Sequence, residues 1–498
     1  MERQELLKQM TFGARVAEDE TAELAKYFVE TDQWSRIFNG DVDIIRGEKG
    51  AGKSAIYSLL TTRNDRLFFR GILLATAERP RGATVFRDLI TEPPTTEQEF
   101  VSLWKLYIVT LIGQKLSEST RFAEASAQRL IKLLRDSEML EAEFDLGRTF
   151  KRVRAYVSRF FNPKQIEGAV TVDPMTFIPT VSAKITPGEP SSAERKLGFM
   201  SMDELASVAN QALSEAGYKI WILLDRLDVA FAESHELERN ALRALFRVYR
   251  DFGNLDAIKL KIFLRSDIWN RIVEGGFREA SHITKVAILD WTDGAILNLI
   301  IKRLLNNRVL ATEFGLDTQQ ILKNSQIQEV TFKRFFPSQV EQGSKKRGTF
   351  DWIISRCADA TGKTAPREII HLLNSAREEE IKRLELGGSP PEGDALFDRS
   401  VFKPALAEVS GARLVQTIYA EYAELKQYIE RLDGEKTEQT AESLAMLWNL
   451  PTMGASEIAG KLVGIGFFQV RGSRDRPTYW VPFLYRDVLS MSQGLADE

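Results

Sequence analysis

One cysteine, Cys357, is all that 498 residues contain, and a single thiol excludes an intramolecular disulfide framework. Histidine is nearly as scarce: His235, His282 and His371 are the whole set, and their scatter makes no metal-ligand spacing. No stretch approaches the roughly 18 uninterrupted apolar residues of a membrane-spanning helix. The opening "MERQELLKQM" has no apolar segment of the secretory kind, so a cytoplasmic, non-membrane protein is expected. Charge of one sign is also lacking. The 67 Lys and Arg residues nearly balance 70 Asp and Glu, for a net charge of −3. No global field therefore directs the chain to nucleic acid or to an anionic membrane, and any polyanion site must be a local patch. No nuclease, protease or deaminase constellation is visible. Hydrophobic residues, at 44%, suffice for the cores of two or three domains.

The first positive signal is "GEKGAGKS" at 47–54. Gly47, four residues, then Gly52, Lys53 and Ser54 is the spacing of a Walker A phosphate loop, whose glycines let backbone N–H groups curl around phosphate oxygens. Glu48, Lys49, Gly50 and Ala51 form the turn of that loop. Lys53 is expected to reach the β- and γ-phosphates, Ser54 to hold Mg²⁺ through its hydroxyl, and the next helix to add its positive dipole end. The flanks agree: "VDII" is a short strand-like run, while Ala55, Ile56, Leu59 and Leu60 recur at helical spacing.

An active nucleotide site also needs an acid at the end of a buried strand. "KIWILLDRLD" supplies it, with Ile220–Leu224 as a continuous apolar run and Asp225 at its C-terminal end, assigned to Mg²⁺. "IKLKIFLRSD" at 258–267 reads as another core strand. Its tip carries Arg265, either a sensor of the γ-phosphate or a salt-bridge partner of Asp267 or Asp225. Where many such ATPases place a carboxylate after the metal-binding acid, this chain has Arg226. Asp228 is the next acid. It reaches an attacking water only if the chain turns after 225; otherwise it caps a helix or lies on the surface. Slow hydrolysis, suited to a switch, is expected. With no Asn-Lys-x-Asp element for guanine, the expected nucleotide is ATP.

Two helices follow the third strand. "LDWTDGAILNLIIKRLLNN" at 289–307 offers Thr292 or Asp293 as cap, and "TGKTAPREIIHLLNSAREEEIKRLE" places Pro366 in a helix first turn with Arg367 beside it. Together with "FGARVAEDETAELAKYFVETDQW", "RPRGATVFRDLITEPP", "LWKLY", "ILLDRLDVAF" and "FLRSDIW", these segments resemble a group of bacterial STAND-like or AAA+-like P-loop ATPases over most of residues 10 to 380. The resemblance implies a small helical lid after the core and an arginine opening one of its helices, here Arg367, that points at the γ-phosphate. It also implies service in anti-phage defence or in DNA-associated processes. A protein partner, or self-assembly into an oligomer, is expected as well.

Far more chain separates Lys53 from Asp225 than a minimal core needs, so an insertion is expected between them. Segments 99–116 and 123–140 read as amphipathic helices, and 168–190 as a hairpin or two short strands. Arg148, Lys151, Arg152, Arg154, Arg159 and Lys164 interleave with aromatic residues, which fits either nucleic-acid contact or a helix with a solvated basic face. Arg239, Arg243, Arg247 and Arg250 share a helical face of the sort that can supply an arginine finger to a neighbouring subunit. "LGGSPPEGDAL" at 386–396 has linker composition. Beyond it, helix, strand, turn and strand resemble a winged helix, whose basic loop holds Arg471, Arg474 and Arg476 and contacts either DNA or protein. The expected class is therefore α/β: a P-loop NTPase with a parallel sheet core over 1–290, a helical and β insertion at about 95–200, a helical lid at 291–385, a linker at 386–400 and a winged-helix-like domain at 401–498. The leading function is a Mg-ATP-dependent conformational switch. A DNA-binding regulator with an ATP-gated winged helix and a non-hydrolysing ATP-binding scaffold are the alternatives.

Overall fold

The computed structural model describes residues 2–79, 84–86, 89, 93–94, 96–119, 121–140, 144–161, 185–196, 198–227, 234–274, 276–474 and 476–496. The chain divides into two compact units, one of 1–31, 48–52 and 289–498, the other of 32–47 and 53–288. Among the described residues no helix is long and apolar enough to cross a membrane.

The unit of 32–47 and 53–288 is built on a five-stranded parallel sheet. Its strands are β1 (Ile44–Gly47), β2 (Ile72–Thr76), β5 (Lys219–Leu224), β6 (Ile258–Arg265) and β7 (Val286–Ile288), in the order β2-β5-β6-β1-β7. Every pairing is parallel, so all five C-terminal ends lie along one edge. The apolar runs are continuous because helices cover both faces of such a sheet: Ile220 to Leu224 are all buried. A two-residue pair, β3 (Ile185–Thr186) with β4 (Met200–Ser201), stands apart. The hairpin expected over 168–190 otherwise falls outside the described residues, as does Lys164.

One charge violates the apolar rule. Lys261, in the middle of β6, is 0% exposed; its ammonium donates to Asp43 Oδ1 at 2.9 Å and lies 4.4 Å from the centre of the Trp221 ring. Tyr249 donates to the other Asp43 oxygen at 3.1 Å. Burial pushes the lysine pKa down, and Asp43 opposes that shift.

The helix Glu97–Ser117 departs from the amphipathic pattern expected of it. It is buried on nearly every side, packed by the helices His235–Asp251, Leu146–Phe161, Met202–Glu215 and Ala125–Asp136, and a helix enclosed all round is apolar all round. Trp104 and Tyr107 settle their polar tips on the carbonyls of Ala241 and Ala77. Leu146–Phe161 is the amphipathic one, burying Phe150, Val153, Tyr156 and Val157 while Arg148, Lys151 and Arg159 are exposed.

In the other unit the N-terminal segment is tied to helices far along the chain. Glu20 and Arg303, both buried, pair at 2.7 Å. Asn307 exchanges hydrogen bonds with the Thr11 backbone, and Asn374 does so with Phe12 and Gly13. Thr292 caps the helix Asp293–Leu305, and Pro366 opens the helix Pro366–Glu385. The Gly- and Pro-rich stretch after that helix ends in Leu396 and Phe397, which are core residues. A four-stranded sheet follows, of β8 (Lys436–Gln439), β9 (Gln469–Gly472), β10 (Pro477–Trp480) and β11 (Ser492–Leu495) in the order β11-β8-β10-β9. The helices Ala441–Trp448 and Thr452–Gly464 lie between β8 and β9 in sequence, and β9 and β10 form an antiparallel hairpin. Helix, helix, hairpin is a winged-helix arrangement.

Asp43→Ala should destabilise this fold by about 3–5 kcal/mol, because it strands a buried ammonium. Asp43→Leu combined with Lys261→Met should recover most of that loss, as read by urea unfolding of the two variants.

Candidate functional site

β1 runs into Gly47, and the helix Lys53–Thr62 starts six residues later. Between them Gly50 and Gly52 adopt φ of +84° and +101°, a region open to glycine at little cost. The Lys53 ammonium folds back to donate to the Gly47 carbonyl at 2.8 Å. Ser54 occupies the first turn of the helix, whose N-terminal amides and dipole favour an anion.

Three strand tips stand along the same edge in this unit. Gly47 is in register with Arg265 on β6, and Asp225 follows directly on Leu224, the last residue of β5. β6 therefore separates the phosphate-loop strand from the strand that delivers the acid. Asp225 is 8% exposed. Tyr57, one turn beyond Ser54, has its phenol pushed up by burial and next by the negative charge of Asp225. Arg265 makes a bidentate pair with Asp267 at 2.9 and 3.0 Å, and Asp267 also accepts from Arg271. That is the salt-bridge alternative drawn from the sequence.

The chain does turn after Asp225, since Arg226 has a φ of +57°. Its guanidinium donates to the Arg79 carbonyl at 2.9 Å. Asp228 lies outside the described residues. An acid that sequence reasoning missed stands on β2. Thr76 is in register with Leu223, so Glu78 and Asp225 each follow that pair by two residues. Glu78 is 1% exposed; it accepts from the Thr84 hydroxyl and from the amides of Arg79 and Val85, and burial raises its pKa above the usual carboxylate value. The signal was present: "ILLATAE" ends an apolar run in an acid, as "WILLD" does.

The loop tip, Glu48–Gly52, belongs with the unit of 289–498. Trp291 Nε1 donates to the Ala51 carbonyl at 2.8 Å, and Lys49 forms an ion pair with Glu421. Glu421 follows the π-helical turn Leu414–Tyr419. A Cβ on Gly50 would stand 3.1 Å from the Cβ of Arg367, so the start of the helix Pro366–Glu385 lies against the loop. Arg367 is half-buried and its Nε has no hydrogen-bond partner. Its neighbour Glu368 is buried against Arg413, 3.0 Å away. Burial works against the Arg413 charge, but Glu368, Tyr485 and Asp359 outweigh it and raise its pKa. Neither Trp291 nor Glu421 was legible beforehand, since each acts on the loop from a distant part of the chain.

Among the described residues no cluster of three or more His, Cys, Asp or Glu side chains is set to hold a metal alone. A Mg²⁺ here would have to share its ligands with a triphosphate, Ser54 and Asp225 being the protein's contribution. Arg471, Arg474 and Arg476 are exposed on the β9–β10 hairpin and its loop, and Arg471 lies 3.6 Å from the Trp480 ring centre.

Gly50→Ala should strain the loop by about 1–2 kcal/mol through its left-handed φ, and further through the Arg367 contact. Nucleotide affinity measured by titration calorimetry should fall about tenfold.

No family model matches the chain, and no curated protein matches it. Among solved structures it is similar to the Aeropyrum pernix ORC1 protein in complex with DNA, at 12% identity over 92% of this chain and 91% of that one, with a TM-score of 0.36. It is also similar to the Aeropyrum pernix ORC2 protein in ADPNP-ADP complexes, at 12% identity over 97% and 96%, with a TM-score of 0.29. At those scores the likeness adds nothing to what the strand order and the loop already establish, an α/β fold with a phosphate-loop geometry at the C-terminal edge of its parallel sheet.

Proposed function

We propose that the chain is a Mg-ATP-binding P-loop ATPase of the AAA+ kind that acts as a conformational switch. The observation that carries this reading is the convergence of Gly47, Asp225 and Arg265 at the tips of β1, β5 and β6, with Lys53 turned back over the loop. Backbone amides and Lys53 would bind the phosphates, and Ser54 and Asp225 would hold a metal ion whose chemistry is to neutralise phosphate charge. Arg367, beside Gly50 and lacking a partner at Nε, gains a charge-assisted contact when a triphosphate fills the loop and loses it after hydrolysis. Arg226 in place of a second acid, with its guanidinium on the Arg79 carbonyl, keeps turnover slow. In the cell such a switch serves anti-phage defence, as the family resemblance implies, or a DNA-associated process.

A second reading, a DNA-binding regulator, draws on the exposed arginines of the β9–β10 hairpin. It requires a duplex affinity that falls with salt and with neutralisation of Arg471, Arg474 and Arg476.

Binding of a fluorescent ATP analogue tests the first reading. Lys53→Ala should abolish it, and unchanged affinity would remove the site assignment. Arg367→Ala should lower affinity for ATP about tenfold while leaving that for ADP unaltered; equal losses for both nucleotides would exclude a γ-phosphate role. Steady-state hydrolysis with Lys53→Ala as blank separates a slow ATPase from a scaffold without turnover.

A further inference from the structure

A heavily charged cavity outside the phosphate loop lies in the C-terminal part of the chain. It is a cleft of about 320 Å³, open to solvent, whose lining carries four cations, Lys346, Arg356, Lys403 and Arg486, against two acids, Glu341 and Asp487. Glu341 is already shared among three of the cations. It pairs with Lys346 at 2.9 Å and stands 3.7 Å from both Arg356 and Lys403. These contacts hold its carboxyl below the usual range, the hydrogen bond from Lys346 first among them.

Arg486 is the unusual member. It is 6% exposed, yet among the described residues no carboxylate forms an ion pair with it, and Asp487 acts on it only as the weakest of the nearby charges. Nε donates to the Val481 carbonyl at 2.9 Å, Nη1 to Gln493 Oε1 at 3.2 Å, and Nη2 has no partner. What surrounds it instead is aromatic and cationic. Its guanidinium carbon lies 4.0 Å from the Phe483 ring centre and 4.5 Å from that of Trp480. Arg356 approaches the same Phe483 at 3.6 Å, and Arg471 the same Trp480 at 3.6 Å. Three guanidinium groups are thus strung on two rings between the cleft and the hairpin. Burial first, and then Arg356 and Arg471, push the Arg486 pKa down to about 10. Ring faces attract a cation, but they do not cancel its charge, and the repulsion among like charges remains.

We propose that this cleft binds a phosphate group, carried either by a free phosphate ester or by a nucleic-acid backbone. Two positive charges in excess match a phosphate dianion. Guanidinium groups offer planar donor forks that suit phosphate oxygens, and the lysines close on the remaining oxygens from the exposed side. The buried, unpaired charge of Arg486 sets the sign of the site. The proposal is independent of the nucleotide site, because none of these residues belongs to the phosphate loop.

The test uses the full-length chain, both wild type and Lys53→Ala, with inorganic pyrophosphate as the probe in calorimetry at low salt. Saturable binding is expected in the Lys53→Ala chain. Lys346→Gln with Lys403→Gln, both exposed and outside the core, should weaken it about tenfold. Glu341→Gln should strengthen it several-fold, since it frees three cations, an outcome that lost packing does not produce. Absence of pyrophosphate binding, or one affinity across all these variants, overturns the proposal. A duplex oligonucleotide then names the source. If it competes with pyrophosphate and weakens in the same lysine variants, the ligand is a backbone phosphate; if pyrophosphate binding alone responds, the ligand is a free phosphate ester.

Discussion

The loop between β1 and the helix Lys53–Thr62 leaves its residues outside any strand or helix, and the elements around it must hold that geometry. Such a segment can pair its amides with neither a strand nor a helix. It must leave β1 at Gly47, pass through positive φ at Gly50 and Gly52, and enter a helix at Lys53. Those turns hold only if the flanks are rigid. β1 is rigid because β6 and β7 pair with it on both sides, and the tip is held through Trp291 on the Ala51 carbonyl and Glu421 on Lys49.

Buried ion pairs recur at the places where distant segments must be joined. Asp43 and Lys261 join neighbouring strands, Glu20 and Arg303 fasten the N-terminal segment, and Glu368 and Arg413 link two helices near the loop tip. Desolvation makes each pair a poor source of net stability, and an apolar replacement of equal shape does as well or better. Their effect is one of selection. A misregistered β6 would bury Lys261 without Asp43, and that alternative is costly.

The charged groups of the phosphate loop and of the C-terminal cleft differ in how fully they are answered. Arg265 is answered by Asp267, and Arg226 by a carbonyl. Arg367 has a nitrogen without a partner beside the loop tip, and Arg486 has one beside the cleft. Guanidinium nitrogens left without a partner in half-buried or buried positions are where an incoming anion gains most. Glu78, its pKa raised by burial and its carboxylate held by the Arg79 and Val85 amides and the Thr84 hydroxyl, anchors the end of β2 level with Asp225.

Local order was legible in the residues themselves. Glycine spacing marked the loop, an unbroken apolar run marked β5 and a mostly apolar one β6, and Pro366 and Thr292 marked helix starts, because each of these depends on neighbours within a few positions. The parallel α/β class followed from runs of that kind. Periodicity misread the helix Glu97–Ser117, for what surrounds a helix on its far side is not written in its own sequence. β2, and with it Glu78, went unread. The order β2-β5-β6-β1-β7, the seat of the loop tip on Trp291 and Glu421, and the gathering of Arg356, Phe483, Arg486, Trp480 and Arg471 were decided by tertiary structure alone. Sequence sets what a segment can become; which charges meet depends on chain hundreds of residues away, and only the packed fold brings them together.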